Sequence, residues 1–194
     1  MSSARPLTEQ NSAAHAVAAD FCRIFQQDMD RLYLLSFLLT ADETMAEACF
    51  VDGLENSAKS PRVFKEWAHA WARRMVIQNA IHMLRPQPDE SVVPKRGTDL
   101  RIANTVEIRA LVELPAFERF VLVMSVLETY SDQECALLLD CTRGEVVSAR
   151  VRALRQLGSA ARDSHPSANT VAEPRSPKVT GLAATFIPRL VPAT

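Results

Sequence analysis

Apolar residues recur along this chain at helical spacing, in blocks separated by polar breaks. From Ala16 one pattern carries Val17, Phe21, Ile24 and Phe25, then Leu32, Leu35, Phe37 and Leu38, to about Leu39. Thr40 and Ala41 interrupt it, and Asp42 or Thr40 can cap the next helix. That helix is expected from Glu43 to about Glu55, burying Met45, Ala46, Cys49, Phe50 and Leu54. Pro61 is expected to start a further helix that continues to Leu84.

The most organised stretch runs from Leu114 to Leu157. Pro115 suits the first turn of a helix, where a missing N–H costs nothing. Phe117, Phe120, Val121, Met124 and Leu127 then form one apolar stripe. Ser131 followed by Glu134 is a capping box, and Cys135, Ala136, Leu138 and Leu139 supply the buried face behind it. Asp140 to Arg143 break the pattern, and Gly144 is read as the residue that tolerates tight-turn geometry. A last helix is expected from Gly144 to Leu157, with Val146, Val147, Val151, Leu154 and Leu157 inward. Helix, tight turn, helix is a helix-turn-helix.

Charge follows the same division. Arg143, Arg150, Arg152 and Arg155 of the last helix face a single acid, Glu145, as a helix lying on phosphates requires. A solvated arginine-bearing face is the bland alternative, because Arg is a good helix former. Further upstream, Asp28, Asp30, Asp42, Glu43, Glu47, Asp52 and Glu55 precede a basic set of Lys59, Arg62, Lys65, Arg73, Arg74 and Arg85. The net charge of −1 therefore hides a separation of charge, and nucleic-acid binding must rest on local patches.

The last block resembles region four of bacterial RNA polymerase sigma-70 family factors. Leu114-Pro115-x-x-Glu118-Arg119-x-Val121-Leu122, Ser131-x-x-Glu134-x-Ala136, Cys141-Thr142-x-Gly144-x-Val146-x-Ser148 and Arg152-Ala153-Leu154 carry the likeness. The closest subgroup in size is the two-domain extracytoplasmic-function (ECF) type. The resemblance implies that Arg143, Glu145, Ser148, Ala149, Arg152 and Arg155 meet the promoter minus-35 element in the major groove. Glu145, Val147 and Arg150 depart from the family's usual Thr, Lys and apolar residue.

Residues 16–85 resemble region two of the same family. Asp42-x-x-x-Ala46-Glu47 and Leu54 are similar to the helix that grips core RNA polymerase, which makes Asp42, Ala46, Glu47 and Leu54 its implied contacts. Trp67, Ala72, Arg73 and Ile77 resemble the helix that opens the minus-10 element, with Lys65, Trp67, Arg73, Arg74 and Gln78 implied on DNA. Opening a duplex needs cations on phosphates and a surface for an unstacked base, and Trp67 and Trp71 are one turn apart among basic residues. Large aromatics at helical spacing are more often core, which is the expectation for at least one indole. Ala48, Val51, Arg74 and Gln78 replace polar residues that the family presents.

Composition adds limits. At 194 residues, with 47% hydrophobic residues, 6% aromatics and 5 Gly, the expected fold is all-α. Two small helical domains, 16–85 and 106–158, are expected on either side of an extended linker at 86–105 rich in Pro and polar residues. A disordered C-terminal tail is expected over 159–194, ending in an apolar GLAATFIPRLVPAT whose docking on the protein's own binding surfaces is one reading. Cys22, Cys49, Cys135 and Cys141 lack metal-ligand spacing, and His15, His69, His82 and His165 are scattered. No phosphate-binding Gly loop, GxSxG or HExxH occurs, so no cofactor, no metal and no enzyme activity are expected. No window is long and apolar enough for a membrane, and MSSARPLTEQ lacks a signal peptide's apolar core, so the expected location is cytoplasmic. The expected partners are core RNA polymerase and double-stranded promoter DNA, with an anti-sigma regulator as a further candidate. The alternatives are a helix-turn-helix transcriptional regulator that has lost polymerase binding, and a module that binds only a sigma regulator.

Overall fold

The computed structural model describes residues 14–60, 62–88 and 105–164, and the fold is all-α. Among the described residues the only extended pairing is an isolated bridge between His15 and Phe64. The described helices are α1 (Ala18–Gln27), α2 (Met29–Thr40), α3 (Glu43–Lys59), α4 (Ala68–Leu84), α5 (Val106–Val112), α6 (Ala116–Leu122), α7 (Asp132–Leu138) and α8 (Arg143–Ser164).

The first apolar pattern is two helices rather than one. The chain bends at Asp28, whose φ of −103° and ψ of 20° leave the helical region. Helix α2 then ends at Ala41, which takes the left-handed conformation at φ 55°. Asp42 caps α3 as expected, its Oδ1 accepting the Met45 N–H at 2.8 Å. Helix α3 continues to Lys59, one turn past the expected end. Gly53 lies where α3 crosses α4. An added Cβ there would sit 3.0 Å from the Val76 side chain, so the bare backbone sets the approach.

Helix α4 begins later than Pro61, which lies outside the described residues. The intervening chain is kept out of the helix: Arg62 turns in the left-handed conformation at φ 61°, and the Ala16 N–H donates to the Val63 carbonyl at 2.7 Å. A 3-10 turn, Lys65–Trp67, leads into the helix proper. Phe21, Ile24, Phe25, Leu32, Leu35, Ala46, Cys49, Ala72, Val76 and Ile77 form the core of α1–α4.

In the second half Pro115 sits just outside α6 at ψ 148°, one position earlier than expected, and its carbonyl accepts the Arg119 N–H. Phe117, Phe120, Val121 and Met124 are fully buried as the stripe requires. Leu127 is not; it is 51% exposed. Val123–Leu127 is a π-helical turn, and the extra residue in that turn swings Leu127 out of the stripe. The capping box of α7 forms: the Glu134 N–H donates to Ser131 Oγ, and Glu134 Oε2 accepts the Ser131 N–H at 2.8 Å.

Asp140, not Gly144, takes the left-handed turn position, at φ 50°. Gly144 lies inside the first turn of α8, which starts at Arg143 behind a second capping box between Thr142 and Glu145. Helix α8 runs through Ser164, so the stretch from 159 to 164, expected to be disordered, is helical. The rest of the tail, and residues 89–104 of the expected linker, lie outside the described residues.

The two helical groups touch. Helix α2 packs on α5 and α6, and one hydrophobic core runs from α1–α4 into α5–α8. At the contact Arg119 is buried, 2% exposed. Its Nε and Nη2 donate to the Leu39 carbonyl at 3.2 Å each, and its Nη1 donates to the carbonyls of Leu114 at 2.8 Å and Val112 at 3.3 Å.

Candidate nucleic-acid interface

Helix α8 is positioned by its N-terminal cap and by two ion pairs. Arg150 reaches Asp132 on α7 with both terminal nitrogens, and Arg152 reaches Glu118 on α6 at 2.7 Å. These pairs, with Val146, Ala149 and Ala153 fully buried, fix which face looks outward. The outward face is Arg143, Gly144, Val147, Ser148, Val151, Leu154 and Arg155. Val147, Val151 and Leu154 were expected inside; the small Ala149 and Ala153 take the tight contact instead.

The implied region-four contacts therefore divide. Arg143, Ser148 and Arg155 are exposed, and Arg143 and Arg155 make no ion pair within 4.0 Å among the described residues. Ala149 is fully buried and is removed from the set. Glu145 is held by the cap: its Oε2 accepts the Thr142 N–H and hydroxyl at 2.7 Å each, which holds its carboxyl below the usual range. Arg152 is exposed on its flank, but its charge is engaged by Glu118.

Four of the five implied region-two residues come together. Trp67, Arg73, Arg74 and Gln78 line one cleft of about 650 Å³ along α4, joined by Trp71. Trp67 is 64% exposed. Trp71 is half-buried, its indole N–H donating to Ser60 Oγ at 2.9 Å, so one indole is packed as expected and one is presented. Lys65 lies apart, 3.9 Å from Asp20 in a separate hollow. The far side of the cleft is Leu127, Glu128, Thr129, Tyr130 and Glu134 from the second helical group. No feature of the sequence announced that wall, because it arises from contacts between residues more than 40 positions apart.

On α3 the implied polymerase contacts divide likewise. Glu47 is exposed and Asp42 is partly exposed at the cap. Ala46 is fully buried and presents no surface, while Leu54 is half-buried against the core and presents only part of its side chain. The outer face of α3 is Thr44, Glu47, Ala48, Val51, Asp52 and Glu55, acidic with an apolar patch in which Val51 is 46% exposed.

Among the described residues no group of three or more His, Cys, Asp or Glu is gathered as a metal site. Cys49 and Cys135 are buried, and burial pushes both thiols up to about 11. Among the described residues no helix is long and apolar enough to cross a membrane. The chain matches no known family model, and no curated protein is significantly similar to it.

Proposed function

We propose that this chain is a sigma-like transcription initiation factor that binds core RNA polymerase and directs it to promoter DNA. In this reading α7–α8 dock on the minus-35 element, α4 engages the minus-10 element, and the acidic outer face of α3 meets the polymerase. One observation carries it: a single chain pairs a capped helix-turn-helix, with an exposed N-terminal turn on its second helix, with a cleft that gathers Trp67, Arg73, Arg74 and Gln78. Two arginines beside an exposed indole on one wall of the cleft suit single-stranded nucleic acid, in which unstacked bases need an aromatic face. The first turn of α8 suits the major groove. Such a factor is not itself an enzyme, works in the cytoplasm, and is a natural target for an anti-sigma regulator.

A second reading, a helix-turn-helix regulator without polymerase binding, is favoured by exposed Ala48 and Val51, which put apolar surface where an acidic grip is needed. Co-purification separates the two. The tagged chain mixed with bacterial core polymerase is expected to elute with it, and Glu47→Ala is expected to weaken that association while leaving duplex binding intact. Duplex binding with no retention of core polymerase would establish the regulator instead.

A further inference from the structure

We propose that the outer faces of α8 and α3 are the two halves of one self-association contact, α8 of one copy of this chain lying on α3 of a second copy. The inference goes beyond the functional reading above and does not depend on it. Helix α8 exposes more apolar surface than a duplex contact through its first turn would use. Val147, Val151 and Leu154 are 42%, 39% and 50% exposed. Their alternating spacing of four and three residues continues through Gly158 and Ala161. Apolar and small residues at that spacing form a narrow seam, the kind that packs on another helix. Arg143, Arg155 and Arg162 border the seam, and none makes an ion pair among the described residues. Two α8 seams laid together would set these cations against one another, which disfavours α8 on α8. The occupant that fits is a helix with acids beside a small apolar strip.

Helix α3 is such a helix. Ala48 and Val51 are exposed on its outer face, between Glu47 and Asp52, which are exposed and make no ion pair among the described residues. Glu55 extends the acidic border, although Lys59 shares its charge at 3.0 Å. Within one chain α3 packs on α1, α2 and α4, while α8 packs on α5, α6 and α7, so both outer faces stay open. The two faces differ, so a pair of copies closes only by making the contact twice. Few apolar side chains take part, which puts each contact in the small size class, below about 1,200 Å², where association is weak and reversible. The associated form is a reserve form, because it covers both the first turn of α8 and the acidic face of α3.

The test is sedimentation equilibrium of the full chain, as wild type and as two charge-inverted variants. One variant carries Glu47→Lys with Asp52→Lys, and the other carries Arg143→Glu with Arg155→Glu. Every altered side chain is exposed, and circular dichroism checks that the helices are kept. The wild type is expected to associate reversibly, its average mass rising with concentration toward twice the monomer. Each variant alone sets like charges across the contact and is expected to associate at least about tenfold more weakly. An equal mixture of the two variants restores opposite charges at both contacts and is expected to come within about threefold of the wild type. Adding Leu154→Asp to the second variant is expected to remove that restored association. A wild type that stays monomeric throughout, or variants that associate as it does, would overturn the contact. An effect of the arginine changes alone, with no rescue on mixing, would overturn α3 as the occupant. Rescue that survives Leu154→Asp would overturn the seam and leave only general charge attraction.

Discussion

Two arginines one turn apart on α8 have opposite assignments once their partners are known. Arg152 is bound to Glu118 at 2.7 Å, whereas Arg155 makes no ion pair among the described residues. Arg155→Ala is therefore expected to lower the salt slope of duplex binding by about 1, as for one lost phosphate contact. Arg152→Ala is expected to leave that slope unchanged and to loosen the docking of α8 on α6, because it leaves Glu118, whose side chain is only 9% exposed, without its partner. Equal slopes for wild type and Arg155→Ala, measured by fluorescence anisotropy across a salt series, would remove Arg155 from the interface. At Arg119 the expectation is larger. Arg119→Met leaves three carbonyls without their donor and is expected to cost about 3 kcal/mol in urea unfolding. The motif letters that placed Arg119 beside Glu118 could not announce its burial, because a charged residue in a motif is read as surface until its carbonyl partners are visible.

At the scale of elements, local chemistry was legible and register was not. Ser131 with Glu134, and Asp42, act as the caps their spacing implies. The Thr142–Glu145 box carries the same signature, but the place of Glu145 in the motif points to DNA and conceals its role as a cap. The π-helical turn has no such signature, so apolar spacing puts Leu127 in a core that the turn rotates it out of. The helix expected from Pro61 begins at Ala68, since the Ala16–Val63 pairing is a long-range constraint no local pattern contains. The same caps and pairs make an acid-sensitivity prediction. Arg150 holds Asp132, Ser131 holds Glu134, and Thr142 holds Glu145 below their ordinary values of 3.8, 4.5 and 4.5. Groups whose pKa is depressed by folding stabilise above the unfolded value and lose that contribution as pH falls through the folded one. Amide exchange protection in α7 and the first turn of α8 is thus expected to fall away below about pH 4.5, ahead of α3 and α4. Protection that declines uniformly along the chain would contradict this.

Taken whole, the molecule differs from two bundles on a tether in one respect that matters for function. The helical content and the contents of each half followed from apolar spacing, but the contact between halves did not, because it is made by Leu39, Arg119, Arg73 and Glu128, which no periodicity links. That contact joins the cores, builds one wall of the α4 cleft and leaves the first turn of α8 open. The measurement that bears most directly on the central claim is run-off transcription with purified core polymerase on a library of promoter fragments. The account predicts that adding this chain yields transcripts from defined start sites, which are lost with Arg73→Ala together with Arg74→Ala. Core polymerase that starts no new transcript with the chain present, while the chain still binds duplex DNA, would contradict it.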